Sequence, residues 1–194
     1  YYFELAKDSD ISFVSANVVD KKTGEPLFKP YIIEKAGETT IAIVGVTEAS
    51  PIGLQPIGGH DIEVLDPITT AKPLLAKLSE EADVVVLMLY YHFGRLRSVV
   101  DELRDADIIL GADGYSTTWR DLRLGGTHVS YGGRQGQKLM LLKALMRNDI
   151  LRELDQDIVS LKLTMPEDET IKAVVDAAKR EIEENKEKPS FTGN

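Results

Sequence analysis

Cysteine is absent, so no thiol nucleophile, thiolate metal site or disulfide is available, and the reactive side chains are three histidines, carboxylates and aromatics. His92 stands in Tyr91-His92-Phe93-Gly94, directly behind the apolar run Val84–Leu89, where an imidazole at a strand end has two readings. It is a metal ligand, or it is a partly buried histidine held by hydrogen bonds. His60 in Ile57-Gly58-Gly59-His60-Asp61 and His128 in Gly126-Thr127-His128-Val129 are isolated and read as surface residues.

Tyr90, Tyr91, Phe93, Tyr115 and Trp119 flank the same strand ends. They form either an aromatic cleft near Tyr91 and Trp119 able to stack a ring, or plugs of the core, the commoner role of aromatics at strand ends. Gly132-Gly133-Arg134-Gln135-Gly136 has the composition of a phosphate cradle but does not lie between a strand and a helix, so a hairpin turn is expected. Glu167, Asp168 and Glu169 follow Pro166 and fit the acidic first turn of a helix.

These groups must be positioned by a fold, and the periodicities define it. The opening Tyr1–Lys7 reads as a helix already under way, with no initiator Met or signal-peptide pattern, and the sequence is expected to be cut from a longer protein. Ile11–Val18 has strand character with Asn17 near its end. Tyr31–Lys35 and Thr39–Val46, joined at Gly37, predict a hairpin whose second strand is apolar on both faces and so covered on both. Residues 47–65 read as a Gly- and Pro-rich loop. Asp66-Pro67 marks a helix start, with the helix running to about Glu81 and Pro73 kinking or shifting its first turns.

Asp83–Leu89 is then a buried strand, Leu96, Val99, Val100 and Leu103 fall at helical spacing, and Asp107–Leu110 is a second strand. Strand, helix and strand in this order make a right-handed parallel crossover, which gathers functional groups on loops at the carboxyl ends, here after Tyr90 and Gly111. Arg120–Met146 is expected to form successive antiparallel strands with turns at Gly125-Gly126 and near Gly132, followed by a strand over Asp157–Leu163. Ile171, Val174, Val175, Ala178 and Ile182 mark one face of a closing helix.

The whole composition excludes some partners. The 23 basic against 32 acidic residues give a net charge of −9, and Arg95, Arg97 and Arg104 are interleaved with Asp101, Glu102 and Asp105, leaving no basic patch for a nucleic acid polymer. No apolar stretch approaches the roughly 20 residues of a membrane-spanning helix. A hydrophobic content of 43% over 194 residues supports one well-cored domain.

Three segments in order carry a resemblance: Phe13-Val14-Ser15-Ala16-Asn17-Val18 ahead of a hairpin ending in Ile43-Val44-Gly45-Val46-Thr47, then Tyr91-His92-Phe93-Gly94, then Ile108-Ile109-Leu110-Gly111 before a loop. The chain resembles the carboxyl-terminal half of the calcineurin-like metallophosphoesterase domain of the 5′-nucleotidase and UDP-sugar hydrolase family. The resemblance implies an α/β fold, a mixed-sheet two-layer sandwich with flanking helices that makes up the second half of an αββα architecture. It implies a domain over residues 1–165, a closing amphipathic helix of the same domain over 166–185, and a linker over 186–194.

In that family two cations, held by Asp, His and Asn ligands from a D-x-H loop, a G-D loop, a G-N-H-E loop and two His-bearing loops, bridge the phosphate and activate a water. The sequence begins just after the place of the G-N-H-E loop, so the three earlier loops are not in it. His92 matches the histidine of the first remaining loop as a vestigial ligand. At the second, Gly111-Ala112-Asp113-Gly114 puts Ala112 and Gly114 where ligands are expected, and Asp113 leaves the backbone in a different direction from either. A catalytic metal needs about three protein ligands.

The expectation is therefore a degenerate site: a chain unable to hydrolyse phosphate esters by itself, binding no cofactor, and acting as a binding or structural module whose partner is the missing amino-terminal half of its domain. The alternative is part of a metal-dependent hydrolase of nucleotides or other phosphate monoesters, with Mn, Zn or Mg completed by that half. By resemblance the setting is periplasmic or extracellular, in nucleotide catabolism.

Overall fold

The computed structural model describes residues 11–49, 61–113, 120–132, 138–147, 150–162 and 164–186. Two compact units emerge, one ending at Ser160 and the other beginning at Leu161.

The first unit is built on a six-stranded sheet. Strands β2 (Tyr31–Ala36) and β3 (Thr39–Thr47) form the expected antiparallel hairpin, turning at Gly37 with φ of 66°. A side chain there would sit in the left-handed region, which glycine enters without a Cβ clash. β3 then runs parallel to β5 (Val84–Tyr90), β5 to β6 (Ile108–Ala112), and β6 to β8 (Thr127–Tyr131). β7 (Arg120–Leu124) closes the edge antiparallel to β8 across Gly125-Gly126, both with positive φ. The resulting order is β2-β3-β5-β6-β8-β7.

Helix α1 (Pro67–Leu78) connects β3 to β5 and starts as the sequence predicts: Asp66 caps it, accepting from the Thr69 N–H at 2.8 Å, and Pro67 takes the first helical position. Pro73 lies within the continuous helix. The carbonyl of Thr69, which a residue with an N–H at 73 would have engaged, sits on an exposed turn where water can replace it. Helix α2 (Phe93–Val99), extended by a 3₁₀ turn over Val100–Leu103, connects β5 to β6.

Both helices cover one face of the sheet. Ala42, Val44 and Val46 of β3, Val85, Leu87 and Leu89 of β5, Ile109 of β6 and Val129 and Tyr131 of β8 pack there against Ile68, Ala71, Leu75 and Leu78 of α1, Leu96 of α2, and Val100 and Leu103 of the turn beyond it. The opposite face is treated unevenly. A long hairpin, β9 (Lys138–Arg147) with β10 (Ile150–Ser160), meets it at β8, where Gln156 Nε2 donates to the buried Ser130 Oγ at 2.7 Å and the Ser130 hydroxyl reaches Met140 Sδ. Near the carboxyl ends of β3, β5 and β6 that face is open, and Met88 and Tyr90 are about half exposed, 50% and 47%.

Several sequence expectations are corrected. Regular pairing near the amino end begins only at Val18, in β1 (Val18–Asp20) against β4 (Ile62–Val64), not over Ile11–Val18. Upstream the chain makes single contacts as it crosses the end of the β2–β3 hairpin: Ser15 N–H to the Lys29 carbonyl and Ala16 N–H to the Gly45 carbonyl. Residues 47–65 contain the strand β4, three residues being too short to show a period of two. β3 is not equally covered on its two faces, for Ile41 and Ile43 are only half-buried.

β10 begins at Ile150 rather than Asp157, and β9 pairs with β10 in a separate two-stranded sheet; the turn expected over Gly132–Gly136 falls on 133–137, outside the described residues. The opening helix over Tyr1–Lys7 also lies outside them.

The second unit holds α3 (Glu169–Lys186), capped by Asp168, whose Oδ1 accepts from Thr170 and Ile171 N–H. Its Ile171, Val174, Val175 and Ile182 are exposed.

Candidate functional site

The parallel strands end side by side: Thr47 is in register with Tyr90, Tyr90 with Ala112, and Gly111 with Tyr131. Carboxyl ends of parallel strands are where α/β sheets place their chemistry. Glu48, His92 and Asp113 follow three of these ends, brought together by a register that sequence spacing alone does not reveal.

His92 precedes α2 as its capping residue, with φ of −63° and ψ of 117°. It is exposed, so the expectation of a partly buried histidine is corrected: two residues past the end of β5, it lies beyond the cover that buries Tyr91. Its backbone N–H donates to Glu48 Oε2 at 3.3 Å, and the next N–H, of Phe93, donates to Asp113 Oδ2 at 3.1 Å. Glu48 is also ion-paired with Arg95 in the first turn of α2. The guanidinium of Arg95 lies 4.9 Å from the centroid of the Tyr91 ring, a cation–π contact.

Beneath this turn the aromatics serve as core plugs. Tyr131 is fully buried, donates its hydroxyl to the Tyr91 carbonyl at 3.0 Å and meets the Phe93 ring edge-on at 4.9 Å. Burial, reinforced by the Asp113 charge, pushes the Tyr131 phenol far above its ordinary value, so it remains a hydrogen-bond donor across the working pH range. The Tyr131 ring fills the place a Cβ on Gly111 would occupy. Gly111 is thus required by close packing under the second loop. Tyr90 faces the open side and takes no part in this plug; Tyr115 and Trp119 lie outside the described residues, as do Gly114 and His60.

Asn17 is the buried polar residue of the first resembling segment. Its Nδ2 donates to the carbonyls of Thr47 at 2.6 Å and Leu65 at 2.8 Å, and its Oδ1 accepts from Thr47 N–H at 3.0 Å. The side chain therefore ties the end of β3, just before Glu48, to the lead into α1. Sequence reasoning located Asn17 but not this role, and it missed Glu48 altogether; the available signal was a carboxylate one residue beyond a parallel strand.

Against a two-cation site the described donors do not fit. Ala112 has no donor atom, and its carbonyl receives the Tyr91 N–H at 3.0 Å. Asp113 is engaged on Phe93, Glu48 on His92 and Arg95, and His128 is half-buried on β8, in register with Ile108 and Arg123 rather than beside His92. Among the described residues no three His, Asp or Glu side chains are grouped so as to hold a metal ion. Beside this turn, on the open face, Val14, Val18, Met88, Tyr90, Leu110 and Ala112 line an apolar groove of about 370 Å³.

The helix-backed mixed sheet, with its loops at the strand ends, defines the α/β fold found in 5′-nucleotidase-like structures. No family model matches the chain. In sequence it is 38% identical over 78 residues to protein UshA of Salmonella pullorum, covering 38% of this chain and 14% of UshA. It is 33% identical over 100 residues to 5′-nucleotidase of Vibrio cholerae, covering 50% of this chain and 18% of that protein.

In fold it matches Thermus thermophilus sulfate thiohydrolase SoxB with a TM-score of 0.80 and 24% identity, over 94% of this chain and 34% of that one. A 5′-nucleotidase precursor from Thermus thermophilus matches with a TM-score of 0.67 and 18% identity, over 95% and 41%. The resemblance to the 5′-nucleotidase family therefore holds, and the chain corresponds to only part of such a protein. No helix among the described residues is long and apolar enough to cross a membrane.

Proposed function

We propose that this chain is a portion of a 5′-nucleotidase-like domain that does not hydrolyse phosphate esters by itself and serves as a binding or structural module. The observation that carries this reading is the second loop. Ala112 stands where the family resemblance expects a ligand, and the neighbouring Asp113 directs its carboxylate onto the Phe93 N–H. His92 alone is far short of the three or so protein ligands a catalytic metal requires.

In this reading residues 1–165 are the carboxyl half of the domain, 166–185 its closing helix and 186–194 a linker. The open apolar face around Met88, Tyr90 and Leu110 is the surface that receives the partner, the amino-terminal half of the same domain. The setting implied by the resemblance is periplasmic or extracellular.

One observation favours a second reading, a metal-dependent phosphoesterase acting on nucleotides or other phosphate monoesters: His92 is exposed at the carboxyl end of β5, where an imidazole is accessible to a cation held mainly by other loops. Calorimetric titration of the chain with manganese and with zinc, followed by turnover of a generic phosphate ester, tests the first reading. The module reading expects no tight pair of cations and no turnover. Two tight cations, with hydrolysis abolished by His92→Ala, would overturn it.

A further inference from the structure

The two carboxylates at the turn after β5 come from opposite sides of it. Glu48 follows β3 and Asp113 follows β6, the strands flanking β5. Glu48 Oε2 receives the His92 N–H and Asp113 Oδ2 receives the Phe93 N–H, two consecutive donors at the start of α2. These are donors the helix itself leaves without partners, so a carboxylate is a strong acceptor for each. Glu48 has a further hold through Arg95 in the first turn of the helix, and the Tyr91 carbonyl just upstream is held by the Tyr131 hydroxyl.

We infer that Glu48 and Asp113 act together as a carboxylate latch, positioning residues that hold the His92 turn as one cooperative unit between the ends of β3 and β6. The two N–H groups lie in successive peptide planes joined at the His92 Cα. The plane that carries the Phe93 N–H also carries the His92 carbonyl, which accepts from the N–H of Arg95, the residue whose side chain Glu48 holds, so displacing either amide pulls on the same helical turn. Releasing one carboxylate therefore loosens both amides. The latch cross-links three strand ends through fixed protein charges, and it commits Asp113 to the backbone. It goes beyond the proposed function and does not depend on it, since the latch is read without metal and that function is read with it.

The test is amide hydrogen exchange, measured by NMR on the full chain without added metal, for Glu48→Gln and Asp113→Asn. Either substitution is expected to speed exchange at both His92 and Phe93 by roughly tenfold, the scale of one charge-assisted hydrogen bond, with Leu87 and Val44 in the core unchanged. Acceleration confined to the amide that lost its own acceptor, no acceleration, or an equal loss of protection at Leu87 and Val44 would each overturn the latch. Should Asp113→Asn fail to fold, Glu48→Gln decides alone, because the Phe93 amide is bonded to Asp113 and not to Glu48.

Discussion

Asn17 has no access to water, so its amide must satisfy its donors and acceptor within the protein, and it does so on the backbone of Thr47 and Leu65. That makes it more than a motif letter. Replacing it with alanine removes three bonds and leaves the Thr47 and Leu65 backbone groups to find other partners in a dry site. Asn17→Ala is therefore expected to cost about 3 kcal/mol, near 1 kcal/mol for each bond, read as a lower midpoint in urea unfolding. An unchanged midpoint would mean that water reaches the Thr47 end of β3. The same logic separates the residues at the strand ends. His92 was legible as a position, because a histidine behind an apolar strand stands out. Glu48 was not, because its significance depends on a neighbouring strand placing the His92 N–H within its reach.

Capping was the element-scale feature most completely readable in advance. Asp66 with Pro67 and Asp168 after Pro166 both start helices as expected, because a cap is a local device whose donors lie two or three residues away. The Asp66 carboxyl is held below its ordinary value chiefly by the Thr69 N–H, with the Thr69 hydroxyl and Ile68 N–H adding to it and partial burial opposing. A group with a depressed folded-state pKa contributes stability that is present above the unfolded carboxylate value and is lost as pH falls through the folded one. Asp66→Ala is thus expected to cost about 1 kcal/mol at neutral pH, with the gap to the unaltered chain narrowing as the solution is acidified below the usual aspartate range. Urea midpoints at several pH values check it, and a gap that widens on acidification would refute the assignment. Elements defined by distant pairing were less legible. β4 has too few residues for a periodicity, and β10 hid its first residues because charged Arg152, Glu153 and Asp155 interrupt the apolar pattern on its exposed side.

For the molecule as a whole, the central sheet is covered unequally on its two faces. Leu87 and Met88 are neighbours in β5, yet one is fully buried beneath the helices and the other half exposed on the open face. Leu87→Ala is expected to cost about 3 kcal/mol and Met88→Ala less than about 1 kcal/mol, and thermal or urea unfolding of the two variants measures the difference. Comparable losses would show the open face to be covered in solution. The run Val84–Leu89 predicts a buried strand, and the structure buries it on the helix-covered face while Met88 on the other stands half exposed, because an apolar run does not encode which neighbour covers each face. By itself the sequence determined what depends on near neighbours: the hairpin at Gly37, the Asp66-Pro67 helix start and the acidic start of the last helix. Only the tertiary structure decided which strand ends stand side by side, that Tyr131 fills the space Gly111 leaves, and that Asp113 turns to the Phe93 amide. These follow from sheet register and side-chain packing between segments far apart in the chain, and no local pattern of residues encodes them.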